Sequence, residues 1–143
     1  MNKILSYNTF LLTLAICLTV TFYGCGGDGR EAIEGKVTFD GQPLADGQIS
    51  FLPMPGTKGP TAGAAIKNGE FQIASEGGTF AGKFRVEITA TRPSNRKVMD
   101  PESGTMINVP QQFIPAIYNQ QTQLTAEVIS GEKNSFTFEL KSR

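Results

Sequence analysis

Apolar and polar residues alternate with a period of two through most of this chain. The clearest case is residues 83–91, where Phe84, Val86, Ile88 and Ala90 alternate with charged and hydroxyl-bearing side chains. A period of two places successive side chains on opposite faces of an extended strand, so the pattern predicts a half-buried β-strand rather than an amphipathic helix. Six further segments are compatible with short strands: residues 33–39, 48–52, 61–67, 70–74, 124–128 and 136–140.

Residues that favour tight turns separate these segments. Asn68-Gly69 forms a two-residue link between two strand-like runs, and Asp40-Gly41 follows the first run directly. Such pairs are strong hairpin signals because glycine adopts positive φ without steric cost. Seven short strands, with no convincing helix after residue 24, predict an all-β fold: a single seven-stranded antiparallel β-sandwich with Greek-key connections.

Residues 92–121 break the alternation. They contain four prolines and charges of both signs, and we predict a long loop without regular structure. Loops of this length inside a compact domain tend to be functional or mobile. This loop and the exposed sheet edges, whose backbone groups are unpaired, are therefore the expected contact surfaces.

The first 25 residues have the pattern of an export signal. Lys3 precedes an apolar run over residues 10–22, and Gly24 stands directly before Cys25. The run is shorter than the ~20 apolar residues that a membrane-spanning helix needs, which favours a signal peptide. The small residue before a cysteine indicates a bacterial lipoprotein signal, with lipid attached to Cys25. The bulky residues Phe22 and Tyr23 fit that pattern imperfectly, so a plain secreted protein and an uncleaved anchor remain alternatives.

This interpretation divides the chain into three parts: a signal helix (residues 1–24), a Gly-rich tether (25–31) and one domain (32–143). The second cysteine, Cys17, would leave with the signal, so Cys25 has no partner within the domain. Cleavage also removes Lys3 and leaves 12 basic and 13 acidic residues. A nearly neutral domain creates no long-range field that attracts nucleic acid.

Short motifs follow one another in a fixed order along residues 32–141. They are Gly35-Lys36-Val37, Asp40-Gly41-Gln42-Pro43-Leu44, Ile49-Ser50-Phe51-Leu52-Pro53, Asn68-Gly69-Glu70-Phe71, Gly82-Lys83-Phe84-Arg85-Val86, Ile114-Pro115-Ala116-Ile117-Tyr118 and Thr122-Gln123-Leu124. The ordered set resembles carboxypeptidase-regulatory-like domains of small bacterial lipoproteins. The resemblance implies a transthyretin-like (prealbumin-like) fold and an accessory or adhesion role. The hydrolase branch of that fold uses histidines, and this chain has none.

The residue types argue against catalysis. Without histidine, and with Cys25 expected to carry lipid, the usual neutral-pH base and thiol nucleophile are missing. The acidic residues are scattered through turns and outward strand positions. We therefore expect no enzymatic activity, no cofactor and no metal site.

Six side chains in the loops are candidates for binding: Phe80, Phe113, Tyr118, Arg92, Arg96 and Lys97. Exposed aromatic rings could form a glycan-binding face, and the basic group could contact a partner or lipid headgroups. Against these interpretations, Tyr118 could be a buried ring whose hydroxyl bonds to the backbone. The basic group could also be a solvated loop balanced by Asp100 and Glu102.

The resulting hypothesis is a non-enzymatic interaction or structural module of the cell envelope. Lipid on Cys25 would hold it in a membrane on the non-cytoplasmic side, facing the periplasm or the cell surface. The expected partner is another envelope protein or a polysaccharide, and no nucleic acid. The alternative is a secreted or surface glycan-binding β-sandwich module.

Overall fold

The computed structural model describes residues 28–143, and the regular structure in this range is almost entirely β. The expected signal peptide, Cys25 and the first residues of the tether lie outside the described residues. Twelve strands are present: β1 (Ile33–Phe39), β2 (Gln42–Pro43), β3 (Asp46–Pro53), β4 (Ala62–Lys67), β5 (Glu70–Ile73), β6 (Gly82–Thr89), β7 (Thr91–Arg92), β8 (Lys97–Met99), β9 (Met106–Asn108), β10 (Gln111–Gln112), β11 (Thr125–Val128) and β12 (Asn134–Leu140). Two short 3₁₀ helices span Ser75–Gly77 and Ala116–Tyr118.

One large sheet contains the seven strands that the alternation predicts. Its order is β11-β6-β3-β4-β5-β1-β12, and β2 also pairs with β1. All neighbours are antiparallel except β1 and β12, which run parallel from Ile33↔Asn134 to Phe39↔Leu140. The prediction of a wholly antiparallel sheet is therefore wrong at this pair. Whether β12 runs parallel or antiparallel to β1 depends on the path of residues 129–133 between β11 and β12. The alternation of apolar and polar residues does not specify that path.

The sheet curls so that its two halves face each other. β4 and β5 share a single residue pair, Lys67↔Glu70, and the sheet bends at this hairpin. The ring of Phe51 on β3 then lies 6.0 Å from Phe71, 5.9 Å from Phe136 and 6.5 Å from Phe138, which come from β5 and β12. Two sheet layers packed face to face around these rings make the core of a β-sandwich.

The apolar phase of each long strand points into this core. Val37, Ile49, Val86 and Ile88 are completely inaccessible to solvent, as the alternation predicts. Burial of these aliphatic and aromatic side chains is the dominant stabilising contribution to a domain of this size.

Both predicted two-residue turns are present. Asp40 and Gly41 have φ of 50° and 80°, and Asn68 and Gly69 have φ of 51° and 79°. Positive φ at both central residues is the geometry of a type I′ hairpin, whose twist matches that of the strands it joins. The turn chemistry in the sequence thus fixes the β1–β2 and β4–β5 hairpins.

Candidate functional site

Residues 92–121 are folded, and the prediction of a loop without regular structure is wrong. β7 pairs with β10 and β8 pairs with β9, which gives two small antiparallel sheets. A 3₁₀ helix follows at Ala116–Tyr118. Each strand is only two or three residues long, and four prolines interrupt the segment. Strands this short cannot show a recognisable alternation.

The segment leaves and rejoins the sandwich at the end of β6. The amide of Ala90 donates to Gln112 Oε1 (2.9 Å), and the amide of Phe113 donates to the carbonyl of Ala90 (3.1 Å). Ile114 then enters the core, where it is 3% exposed. The chain between these two contacts therefore projects from one end of the sandwich.

The projecting part is a β-hairpin, here called the distal hairpin (residues 96–109). Val98 lies opposite Ile107 and Met99 opposite Met106. The ladder continues on both sides, because Val109 N donates to Arg96 O and Asp100 N donates to Thr105 O, each at 2.9 Å.

The distal hairpin exposes apolar side chains. Met99 is 66% exposed, Met106 57% and Ile107 45%, and no residue of the hairpin belongs to the hydrophobic core. Met99 and Met106 are directly opposed and share one face of the hairpin, whereas Ile107, the next residue of β9, points to the other face. The hairpin therefore exposes apolar side chains on both faces, and clustered apolar exposure of this kind is typical of interaction surfaces. Sequence reasoning gave these three residues no role.

The tip of the hairpin holds the carboxylate of Asp100 in hydrogen bonds that favour its ionised form. Asp100 Oδ1 accepts hydrogen bonds from the amides of Glu102 (2.8 Å) and Ser103 (3.4 Å). These bonds, the one from Glu102 above all, favour the ionised carboxylate and lower the pKa of Asp100 below its ordinary value. Gly104, with φ of 67°, completes the turn by donating to Asp100 O.

The three predicted basic residues lie at the base of the hairpin. The Arg92 guanidinium carbon is 5.8 Å from the centroid of the Phe113 ring, a cation–π distance. Arg96 and Lys97 are exposed. Within residues 28–143, none of the three forms an ion pair closer than 4.0 Å. Arg96 and Lys97 therefore have no ion-pair partner among these residues, while the guanidinium of Arg92 contacts the Phe113 ring.

The three predicted aromatic residues do not form one surface. Phe80 precedes β6 and Phe113 contacts the residue that follows it, so the length of the strand, about 27 Å, separates them. Phe113 packs edge-on against Phe39 at 5.5 Å. Tyr118 is half-buried, and its hydroxyl accepts a hydrogen bond from Lys141 N (3.1 Å), which is the backbone contact considered from the sequence. The geometry thus gives no support to a joint glycan-binding face.

The described part of the tether is fixed to the opposite end of the sandwich. Arg30 Nη1 donates to Glu76 O (2.9 Å), and Glu31 N donates to Thr79 O (2.8 Å). The Glu31 carboxylate also accepts from Ser130 Oγ (2.8 Å) and Gly131 N (3.0 Å). An acidic residue after a Gly-rich run looks like linker in the sequence, so nothing there indicated this docking.

A groove of about 490 Å³ lies where β4 and β5 diverge. Its charged residues include Lys36 and Glu70, whose charged groups are 3.8 Å apart, and Lys67, which pairs with Asp46. Within residues 28–143, no three His, Cys, Asp or Glu side chains converge as metal ligands would. These charged side chains of the groove are therefore already paired with one another or with a neighbouring residue.

Comparison with known proteins adds nothing to this geometry. No helix within residues 28–143 is both long and apolar enough to cross a membrane. No protein-family model, curated protein or solved structure matches the chain.

Proposed function

We propose that the protein is a non-enzymatic, lipid-anchored interaction module of the cell envelope. Lipid on Cys25 holds it in a membrane, and the β-sandwich presents the distal hairpin outside the cytoplasm. The observation that carries the proposal is the exposure of three apolar side chains, Met99, Met106 and Ile107, on the distal hairpin, at the end of the sandwich opposite the tether.

The arrangement of the two ends supports this role. The tether meets the domain beside the start of β6, and the hairpin departs from the end of β6, about 27 Å away. Glu31 fixes the tether to the turn between β11 and β12. An anchor on Cys25 would therefore place the sandwich between the membrane and the hairpin.

The transthyretin-like fold is part of the same proposal. The ordered motifs in residues 32–141 suggest it, and a curled all-β sheet whose main path has seven strands is compatible with it. The motifs also associate the fold with accessory or adhesion roles, which agrees with a display function.

The anchor is tested by the intact mass of the protein extracted from its native membranes. We expect the mass of residues 25–143 plus a diacylglycerol group, with or without a further acyl chain. Cys25→Ala is the matched control, and it should abolish the lipid and release the protein from the membrane fraction. An unmodified chain cut near residue 24 would contradict the anchor.

The hairpin is tested by replacing residues 97–108 with Asn-Gly. Arg96 and Val109 are already hydrogen-bonded across the ladder at 2.9 Å, so a two-residue turn can join them. Because the removed residues lie outside the core, stability should change by less than about 0.5 kcal/mol. Crosslinked adducts formed in the intact envelope should disappear.

A matched control for this replacement is Ile129→Ser. Ile129 is also apolar and 47% exposed, but its neighbour Ser130 bonds to Glu31 of the tether, at the opposite end of the sandwich. This variant should retain the adducts of the parent protein. Adducts that survive the hairpin replacement would remove the hairpin as the contact surface.

A further inference from the structure

We propose that the partner of the distal hairpin is a second copy of this chain, bound edge to edge through β8. The two β8 strands would run antiparallel about a two-fold axis at Val98 and join the two hairpins into one four-stranded sheet. This inference rests on the proposed function, since it names a partner for the same surface.

The first argument is that one edge of β8 is free. Among the described residues β8 pairs with β9 alone. Arg96 and Asp100 direct backbone groups towards β9, where they bond to Val109 and Thr105. Backbone groups alternate in direction along a strand, so those of Lys97 and Met99 point away from β9. A row of unpaired amides and carbonyls is a template for another strand.

The second argument is register. Antiparallel pairing about Val98 places Lys97 opposite Met99 of the second copy, and Met99 opposite its Lys97. These are the residues with free backbone groups, so each pair can exchange two hydrogen bonds. The two Val98 residues then form the intervening non-hydrogen-bonded pair, as a two-fold axis requires.

The third argument is charge. The same register places Arg96 opposite Asp100 of the second copy, and the reciprocal pair forms on the other side of the axis. Oppositely charged residues directly across an antiparallel pair stabilise it. Both side chains lack an ion-pair partner within residues 28–143. Two antiparallel copies of β8 therefore place opposite charges next to each other at both ends of the pairing.

The free edge of β9 lacks this complementarity. Inverting β9 about Ile107 would place Met106 opposite Asn108, and Thr105 opposite Val109. No opposite charges meet in that arrangement. Charge thus selects β8 over β9 as the pairing edge.

The fourth argument is burial of apolar surface. Val98 and Ile107 are directly opposed within one hairpin, so pairing through β8 aligns four apolar residues in one row across the joined sheet. Isolated two-stranded hairpins are marginal in water, whereas wider sheets with an apolar face gain stability. The second copy would therefore add apolar contacts to a hairpin that lies outside the hydrophobic core.

The experiment is disulfide trapping with Val98→Cys in the full-length protein in its native membranes. The axis would bring the two Cβ atoms of residue 98 to about 4.5–5.5 Å, close enough for a disulfide after slight adjustment. Cys17 would leave with the signal and the Cys25 thiol would carry lipid, so the parent chain should give no disulfide dimer. Mild oxidation of Val98→Cys should therefore give a covalent homodimer that the parent chain does not form. Ile107→Cys is the matched control and should add no dimer, since three strand spacings, about 14 Å, would separate its copies.

Second-site changes in the Val98→Cys background test the register. Asp100→Asn keeps the oxygen that accepts the turn hydrogen bonds but removes the charge. With two cross-strand ion pairs lost, dimer association should weaken about fivefold. Met99→Pro removes an outward amide and should abolish trapping, whereas Met106→Pro on the other edge should leave it unchanged.

The outcomes separate the inference from the proposed function. Trapping that depends on Asp100 and Met99 supports self-pairing. Absence of trapping, or trapping whose yield is unchanged by both Asp100→Asn and Met99→Pro, overturns self-pairing. If the hairpin replacement still removes envelope adducts in that case, the proposed function stands with a different partner. Adducts that persist without the hairpin overturn the proposed function itself.

Discussion

Asn134 closes the turn between β11 and β12, and its removal should destabilise the domain. The side chain is 6% exposed at the start of β12. Its Oδ1 accepts from Ile129 N (2.8 Å), and its Nδ2 donates to Ile129 O (3.0 Å) and Glu132 O (3.2 Å). The amide group thus holds both sides of residues 129–133 with three hydrogen bonds, and Asn134→Ala removes all three.

The expected loss of stability follows from these contacts. A typical intramolecular hydrogen bond contributes about 1 kcal/mol net, which gives about 3 kcal/mol for three. Ile129 is 47% exposed, so water can replace part of what its backbone groups lose. We therefore expect Asn134→Ala to reduce the free energy of unfolding by about 2 kcal/mol.

Urea unfolding of the purified protein measures this change. With a denaturant slope of about 1.5 kcal/mol/M, the midpoint should fall by about 1.3 M. Ser135→Ala is the matched control, because the neighbouring Ser135 is exposed and its side chain makes no hydrogen bond within residues 28–143. A midpoint shift for Asn134→Ala no larger than that of the control would refute the reasoning, since it would mean that water replaces the amide fully.

Three further predictions concern separate features. Gly35→Ala should reduce the free energy of unfolding in urea by roughly 3 kcal/mol, because an added Cβ would lie 2.1 Å from the carbonyl oxygen of Phe136. An unchanged urea midpoint would contradict the close packing of β1 on β12. The lowered pKa of Asp100 stabilises the hairpin tip above the unfolded value of 3.8, and this contribution is lost as pH falls through the lower folded value. The Glu102 amide resonance should therefore titrate with a midpoint below 3.8, and a midpoint at or above that value would contradict the turn. Tyr118→Phe should lower the free energy of unfolding by about 1 kcal/mol, because it removes the hydrogen-bond acceptor for Lys141 N. A loss of polysaccharide retention without a change in stability would instead favour the glycan-binding alternative.

The sequence alone determined the strands and the tight turns of the sandwich. The period-two alternation located seven of the eight strands of the main sheet, because each of these strands has one face in the core and one in solvent. Asp40-Gly41 and Asn68-Gly69 determined two hairpins, because residues that tolerate positive φ specify the turn locally. Phe51, Phe71 and Phe138 were in core phase before any tertiary contact was known.

Tertiary structure decided how these pieces combine. The parallel pairing of β1 with β12 joins residues about a hundred positions apart, and no local pattern encodes such a contact. In the sequence Asn134 looks like any other turn residue, yet in the structure it is buried and closes the turn between β11 and β12. The distal hairpin was hidden among prolines because its strands have three residues each. The exposure of its apolar side chains could be recognised only in the folded structure, because exposure depends on how the whole chain packs.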